Sequence, residues 1–158
     1  ALQLRDIKRE YVAITQGVVT AGRTIEQPIG RHPVDRKRMA VQENGKDAVT
    51  HFSVREKYRS HCLIDVQLET GRTHQIRVHL AHIRHPLLGD QVYGGRLAIP
   101  KGISAELEQL IRGFKRQALH ARRLSFAHPI SGEPLSFTAD LPQDMLQMIE
   151  GLQKDASL

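Results

Sequence analysis

The densest run of side chains able to do chemistry is Thr70-Gly71-Arg72-Thr73-His74-Gln75-Ile76-Arg77-Val78-His79-Leu80-Ala81-His82. From Arg72 to His79 it holds two guanidiniums, two imidazoles, an amide and a hydroxyl. Ile76, Leu80 and Ile83 recur three to four residues apart, so a helix is expected here, with Thr73 placed to cap it. A helix N-terminus already favours anions through its free N–H groups and dipole. Arg72, Thr73, His74 and Gln75 are therefore candidates to hold a phosphate or carboxylate, and Arg77 falls one turn beyond Thr73 on the same side. The same spacing also suits a solvated face of an amphipathic helix, and spacing alone does not separate the two.

His74, His79, His82 and His85 invite a metal reading, because His79 and His82 share a helix turn. No H-E-x-x-H pattern, cysteine pair or carboxylate at ligand spacing accompanies them, so structural or RNA-facing histidines are the simpler expectation. A second constellation, Arg31-His32-Pro33-Val34-Asp35-Arg36-Lys37-Arg38, sets four cations on a proline-containing loop. Arg31, His32, Arg36, Lys37 and Arg38 read either as a solvated charge run or, with the glycine-turn cluster, as a two-point clamp on a nucleic-acid backbone. Tyr11, near the start of a β-rich stretch, is by itself a core or interface tyrosine.

These groups need a scaffold. Residues 9 to 19 mix β-branched and aromatic side chains as a strand does, and Thr24 to Ile29 reads as a short second strand. Met39-Ala40-Val41 is the return arm of a hairpin around the basic loop. Ala48 to Arg55 and His61 to Glu69 alternate and should pair antiparallel across the polar stretch at Lys57-Tyr58-Arg59. Ser104 to Phe114 is helical by period, and Gln117 to Phe126 and Leu135 to Leu141 form a hairpin about His128-Pro129-Ile130-Ser131-Gly132-Glu133-Pro134. The stretch from Asp144 to Leu152 is a last helix. The fold class is α+β, a mixed, mostly antiparallel sheet of about seven strands with three helices. The first strands find no preceding neighbours to pair with, which predicts an open sheet edge and sequence missing before them.

Composition narrows the partner. Of 158 residues, 23 are Lys or Arg and 17 are Asp or Glu, for a net charge of +6 that favours an anionic partner. With 3 Tyr, 4 Phe and no Trp, a platform that stacks many bases is excluded, and a folded RNA held through its phosphates fits better. Cys62 is alone, so no internal disulfide forms, and its alternating apolar setting reads as a buried small hydrophobe in a reducing cytoplasm. No apolar run reaches membrane-spanning length, and Ala1 to Asp6 is not a signal peptide.

Several motifs together resemble the RluA-type pseudouridine synthases. They are Leu68-Glu69-Thr70-Gly71-Arg72-Thr73-His74-Gln75-Ile76-Arg77-Val78-His79, then His85-Pro86-Leu87-Leu88-Gly89-Asp90 and Tyr93-Gly94. Arg9-Glu10-Tyr11, Pro28-Ile29-Gly30-Arg31-His32-Pro33, Ala48-Val49-Thr50, Ala118-Leu119-His120-Ala121 and His128-Pro129-Ile130-Ser131-Gly132 match in the same order. The resemblance covers nearly the whole chain. It implies the isomerisation of specific uridines to pseudouridine in large-subunit (23S) ribosomal RNA, without metal or organic cofactor. Tyr11 would be the active-site tyrosine that packs on the target base, and Arg77 the arginine that pairs with the catalytic aspartate. The Arg31 to Arg38 loop would grip an RNA stem-loop.

In that family the aspartate stands in an H-R-L-D motif upstream of the tyrosine strand. No such motif occurs in this sequence, and Asp6, Asp35, Asp47, Asp65, Asp90, Asp140, Asp144 and Asp155 lie in other contexts. Residues 1 to 158 are thus expected to be the C-terminal part of one catalytic domain, inactive alone, with the family's N-terminal RNA-binding domain also outside it. The expected partner is a large-subunit stem-loop or the ribosomal particle, and the chain is expected to be a cytoplasmic monomer. The alternative is a non-catalytic RNA-binding module that uses the same basic surfaces.

Overall fold

A computed structural model describes residues 7–158; the reading of Ala1 to Asp6 lies outside them. Eight strands and three helices follow in the order β1 (Ile7–Gln16), β2 (Arg23–Glu26), β3 (Ile29–Arg31), β4 (Met39–Val41), β5 (Val49–Lys57), β6 (His61–Leu68), α1 (Gln75–His82), α2 (Ala105–Gly113), β7 (Leu119–Ala127), β8 (Pro134–Thr138) and α3 (Gln143–Ala156). The expected α+β class holds, with one strand more than the sequence suggested. The segment from Thr24 to Ile29 splits in two because Pro28 has no N–H to give a sheet ladder.

Six strands form one antiparallel sheet in the order β2-β5-β6-β1-β7-β8, and β3 and β4 pair as a separate hairpin. β5 and β6 pair as expected. The expected open edge at the first strand is corrected: β1 lies between β6 and β7 and is bonded on both sides. Its neighbours come from later in the chain. The actual edges are β2 and β8, of 4 and 5 residues, and short edges limit pairing with other chains.

Alternation in β1 sorts its side chains to two faces. Val12 and Ile14 join Leu63, Leu107, Ile111, Met145, Met148 and Leu152 in a core under α2 and α3. Ala13, with Tyr11 beside it, packs on the other face with Ile64, Val66, Ile76 and Leu80 of β6 and α1. A third cluster, Ile29, Ala48, Val78 and Tyr93, fastens the β3–β4 hairpin to α1. Burying a Leu, Ile or Met side chain stabilises by roughly 1.5–3 kcal/mol, so these clusters hold the helices against the sheet.

Local signals explain the helix ends. Ser104 caps α2 by accepting a hydrogen bond from the Leu107 N–H, as its position predicted. Tyr58, read within a polar turn, is instead buried at 7% exposure between β5 and β6. Cys62 is buried and free, and its Sγ accepts from the Val19 N–H. Among the described residues no helix is long and apolar enough to cross a membrane.

Candidate active site

The turn between β6 and α1 is organised by Gln75 and not by Thr73. Gln75 is 2% exposed. Its Oε1 accepts from the Thr70 hydroxyl at 2.7 Å and the Arg72 N–H at 3.0 Å, while its Nε2 donates to the Val49 carbonyl and the Thr50 hydroxyl. All its bonding capacity is spent inside the fold, so Gln75 positions the turn and does not offer its amide to RNA. The cap position falls to His74, which takes a left-handed conformation with φ 56° and makes no side-chain cap bond. Thr73 is exposed beside it. This corrects the expected Thr73 cap: a side chain that reaches back from inside the helix already satisfies the turn's N–H.

The same network fixes His79. Its Nε2 lies 2.8 Å from the Gln27 carbonyl, which only accepts, so that nitrogen carries the proton. Its Nδ1 then accepts from the Thr50 hydroxyl at 2.7 Å. Burial pushes the His79 pKa down, which favours this neutral form. Both ring nitrogens are committed, so His79 has none left for a metal shared with His82.

Arg77, one turn into α1, meets a carboxylate the sequence did not pair with it. Its Nε and Nη2 donate to Asp90 Oδ2 and Oδ1 at 2.8 and 3.0 Å. Asp90 Oδ1 also accepts from the Val92 and Tyr93 N–H groups. Burial pushes the Asp90 pKa up, but the Arg77 hydrogen bonds and the two backbone donors outweigh it and hold the carboxyl below its ordinary value. Gly89 has φ 78°, and a Cβ there would lie 2.1 Å from the Arg116 carbonyl oxygen, so only glycine admits this turn. A carboxylate with no exposed side-chain surface and four donors is a counter-ion, not a nucleophile. Arg77 keeps its Nη1 edge for a second acceptor.

A cleft of about 320 Å³ lies beside this pair, and Arg9, Tyr11, Leu68, Arg72, His74 and Arg77 are among its lining residues. Tyr11 reaches it from the central strand, opposite Val66 of β6 and Ala121 of β7, where a bulge at Glu10 and Tyr11 shifts the β7 register. The structure therefore brings together Tyr11, Arg72, His74 and Arg77. Among the described residues no Asp or Glu lines the cleft. It can receive a planar ring against Tyr11 and an anion against the guanidiniums, and the described residues that line it supply no carboxylate base or nucleophile.

The basic loop does not line this cleft; it tips the β3–β4 hairpin. Arg31, Arg36 and Lys37 are exposed, and His32 Nδ1 accepts from the Val34 and Asp35 N–H groups, which shapes the turn. Arg38 turns inward over the Tyr93 ring at 5.2 Å. Arg72 Nε donates to the Asp47 carbonyl. The sequence reading missed Arg9, Asp90 and Tyr93; Gly89-Asp90 and Tyr93-Gly94 signalled a compact turn, but nothing local tied that turn to Arg77.

The sequence profile described as RNA pseudouridylate synthase matches residues 1–82, which include both Tyr11 and Arg77. A ribosomal large subunit pseudouridine synthase D of Vibrio cholerae is 56% identical over 158 residues, covering 100% of this chain and 49% of that protein. Its counterpart in Vibrio parahaemolyticus is 59% identical over 98% of this chain and 48% of its own length. That of Xanthomonas campestris is 49% identical over 99% and 47%. The chain spans about half the length of these curated relatives. Among solved structures, human RNA pseudouridylate synthase domain containing 4 superposes with a TM-score of 0.72 at 25% identity, over 94% of this chain and 63% of that one. Human RNA pseudouridylate synthase domain containing 1 shares the fold, with a TM-score of 0.69 at 24% identity over 94% and 66%. Since the matched profile spans more than half of its residues, the chain belongs to the RNA pseudouridylate synthase family.

Proposed function

We propose that residues 1–158 are the C-terminal part of the catalytic domain of a synthase D-type enzyme that converts uridines to pseudouridine in large-subunit ribosomal RNA. The observation that carries this reading is the shared cleft of Tyr11 and Arg77. In the reaction the bond from ribose C1′ to uracil N1 breaks, the base turns, C1′ joins C5, and the C5 proton leaves while N1 gains one. No redox step or co-reactant is needed. Tyr11 offers a π face to the unstacked base, as an extruded base requires. Arg77, held on one edge by Asp90, offers its other edge to a carboxylate, which the H-R-L-D segment outside these residues supplies.

Arg72, Thr73 and His74 receive phosphate at the start of α1, and Arg31, His32, Arg36 and Lys37 contact the RNA stem from the hairpin. The partner is a stem-loop of large-subunit RNA, and the protein works as a cytoplasmic monomer. A second reading, a non-catalytic RNA-binding module, is favoured by one observation: Arg77 already has a carboxylate partner.

The test joins this chain to the preceding half of the Vibrio cholerae relative and measures pseudouridine in large-subunit RNA. The joined protein should form product and lose it with Arg77→Met, while the 158-residue chain alone should bind RNA without turnover. Product from the chain alone would overturn the assignment of the catalyst to another segment. RNA binding without turnover in the joined protein would favour the module.

A further inference from the structure

Tyr93 ties the cleft to the hairpin. Tyr93 is 9% exposed, and the Arg38 and Arg77 guanidiniums approach its ring at 5.2 and 4.9 Å. Its hydroxyl oxygen lies 3.0 Å from the Met39 N–H, at the start of β4, and 2.8 Å from His74 Nδ1. Met39 can only donate, so the hydroxyl accepts there and its own proton needs an acceptor. Among the described residues that acceptor is His74 Nδ1. The opposite assignment, with Nδ1 donating, leaves the phenol proton unpaired in a buried site.

We propose that Tyr93 is a positioning residue of the cleft: by donating to Nδ1 it holds His74 as the neutral Nε2–H tautomer and presents that N–H to a backbone phosphate of bound RNA. The proposal rests on the reading of the cleft as an RNA site. Three observations support it. The His74 ring lines the cleft. Its Nε2 has no hydrogen-bond partner among the described residues, which leaves it free for a ligand. His74 also holds a left-handed backbone, φ 56°, a conformation that costs a residue with a Cβ and persists where surrounding contacts enforce it. Burial lowers the His74 pKa, with Arg77 adding to the effect and Asp90 opposing it, so the ring is neutral near pH 7. Because Met39 and His74 share one oxygen, a hairpin displaced from its resting place withdraws the N–H that orients the phenol.

Nitrogen-15 NMR of the histidine rings in the 158-residue chain tests the geometry directly. The wild-type chain should show His74 as a single Nε2–H tautomer at pH 7.5, and Tyr93→Phe, which keeps the ring but not the hydroxyl, should give a mixture. An Nδ1–H tautomer in the wild type overturns the proposal even if Tyr93→Phe fails to fold; so does an unchanged tautomer in a folded Tyr93→Phe. Affinity for a fluorescent RNA stem-loop tests the use of the donor. Losing one hydrogen bond to a charged group should make His74→Ala bind roughly tenfold more weakly. Tyr93→Phe should lose less, and the double variant should bind no worse than His74→Ala alone. Additive losses would mean that Tyr93 does not act through His74. A chain that binds no RNA would overturn the cleft reading and the donor's use, while the NMR result still decides the Tyr93–His74 geometry.

Discussion

Replacing Asp90 with Asn removes the charge that faces Arg77 and keeps the side chain's shape. The Asp90 side chain is 0% exposed and that of Arg77 only 12%, so water cannot take over the lost bonds. Removing one partner of a buried ion pair costs roughly 3–5 kcal/mol. Asn still offers an oxygen to the Val92 and Tyr93 N–H groups, and Arg77 reaches the cleft surface, which puts the expected loss near the lower end, about 3 kcal/mol. In a chain of this size that lowers Tm by about 6–12 °C. Urea unfolding followed by circular dichroism measures it. A cycle with Arg77→Met separates the pair from its surroundings: once the guanidinium is gone, Asp90→Asn should cost much less than it does alone. The pH dependence has a definite sign. The folded pKa of Asp90 is below its unfolded value, so the pair's contribution is complete above the unfolded carboxylate pKa and is lost as pH falls through the folded one. An Asp90→Asn chain within about 0.5 kcal/mol of wild type, or additive behaviour in the cycle, would refute the counter-ion role.

Other sites give further expectations. His61 is 2% exposed, and burial lowers its pKa to about 4, against the opposing charge of Asp155. Stability should therefore be complete above pH ~6.5 and fall by roughly 3 kcal/mol as pH drops toward 4, a slope that urea unfolding of His61→Gln should flatten. Gln75→Leu leaves the Thr70 hydroxyl proton and the Arg72 N–H without an acceptor, while the Val49 carbonyl keeps the Glu69 N–H; it should cost roughly 2–4 kcal/mol in the same assay, whereas a loss under about 0.5 kcal/mol would remove Gln75 from its place at the turn. Arg36→Ala with Lys37→Ala should weaken RNA binding and lower the slope of log affinity against log salt by about one per charge removed; an unchanged slope would take the hairpin out of the RNA contact.

The elements themselves were legible because their signals are local. Alternation marks β5 and β6, Ser104 marks the start of α2, and a glycine turn marks the passage from β6 into α1. What was not legible depends on residues far apart in sequence. β1 is central because β6 and β7 close on it from more than forty residues away, and nothing in residues 7 to 16 encodes that placement. Thr73 fits the pattern for a cap, yet Gln75 satisfies the turn from inside the helix, an arrangement that requires Val49 and Thr50 of another strand. In the site, Tyr11, Arg72, His74 and Arg77 were identified from motifs and chemistry. The Asp90 and Tyr93 partnerships were not, because their geometry exists only after the turn from Gly89 to Gly94 packs against α1. The resemblance implies an upstream aspartate beside Arg77; the carboxylate that meets Arg77 among the described residues is a different one, Asp90.

On the proposed function, the cleft between β1 and the start of α1 receives the target base. A large-subunit RNA stem-loop carrying 4-thiouridine at the modified position, cross-linked by light to the 158-residue chain and mapped by mass spectrometry, tests this most directly. Cross-links are expected in the peptides that carry Arg9 to Tyr11 and Arg72 to Arg77. Cross-links confined to the opposite face of the sheet, around Arg55 and Asp65, would contradict it.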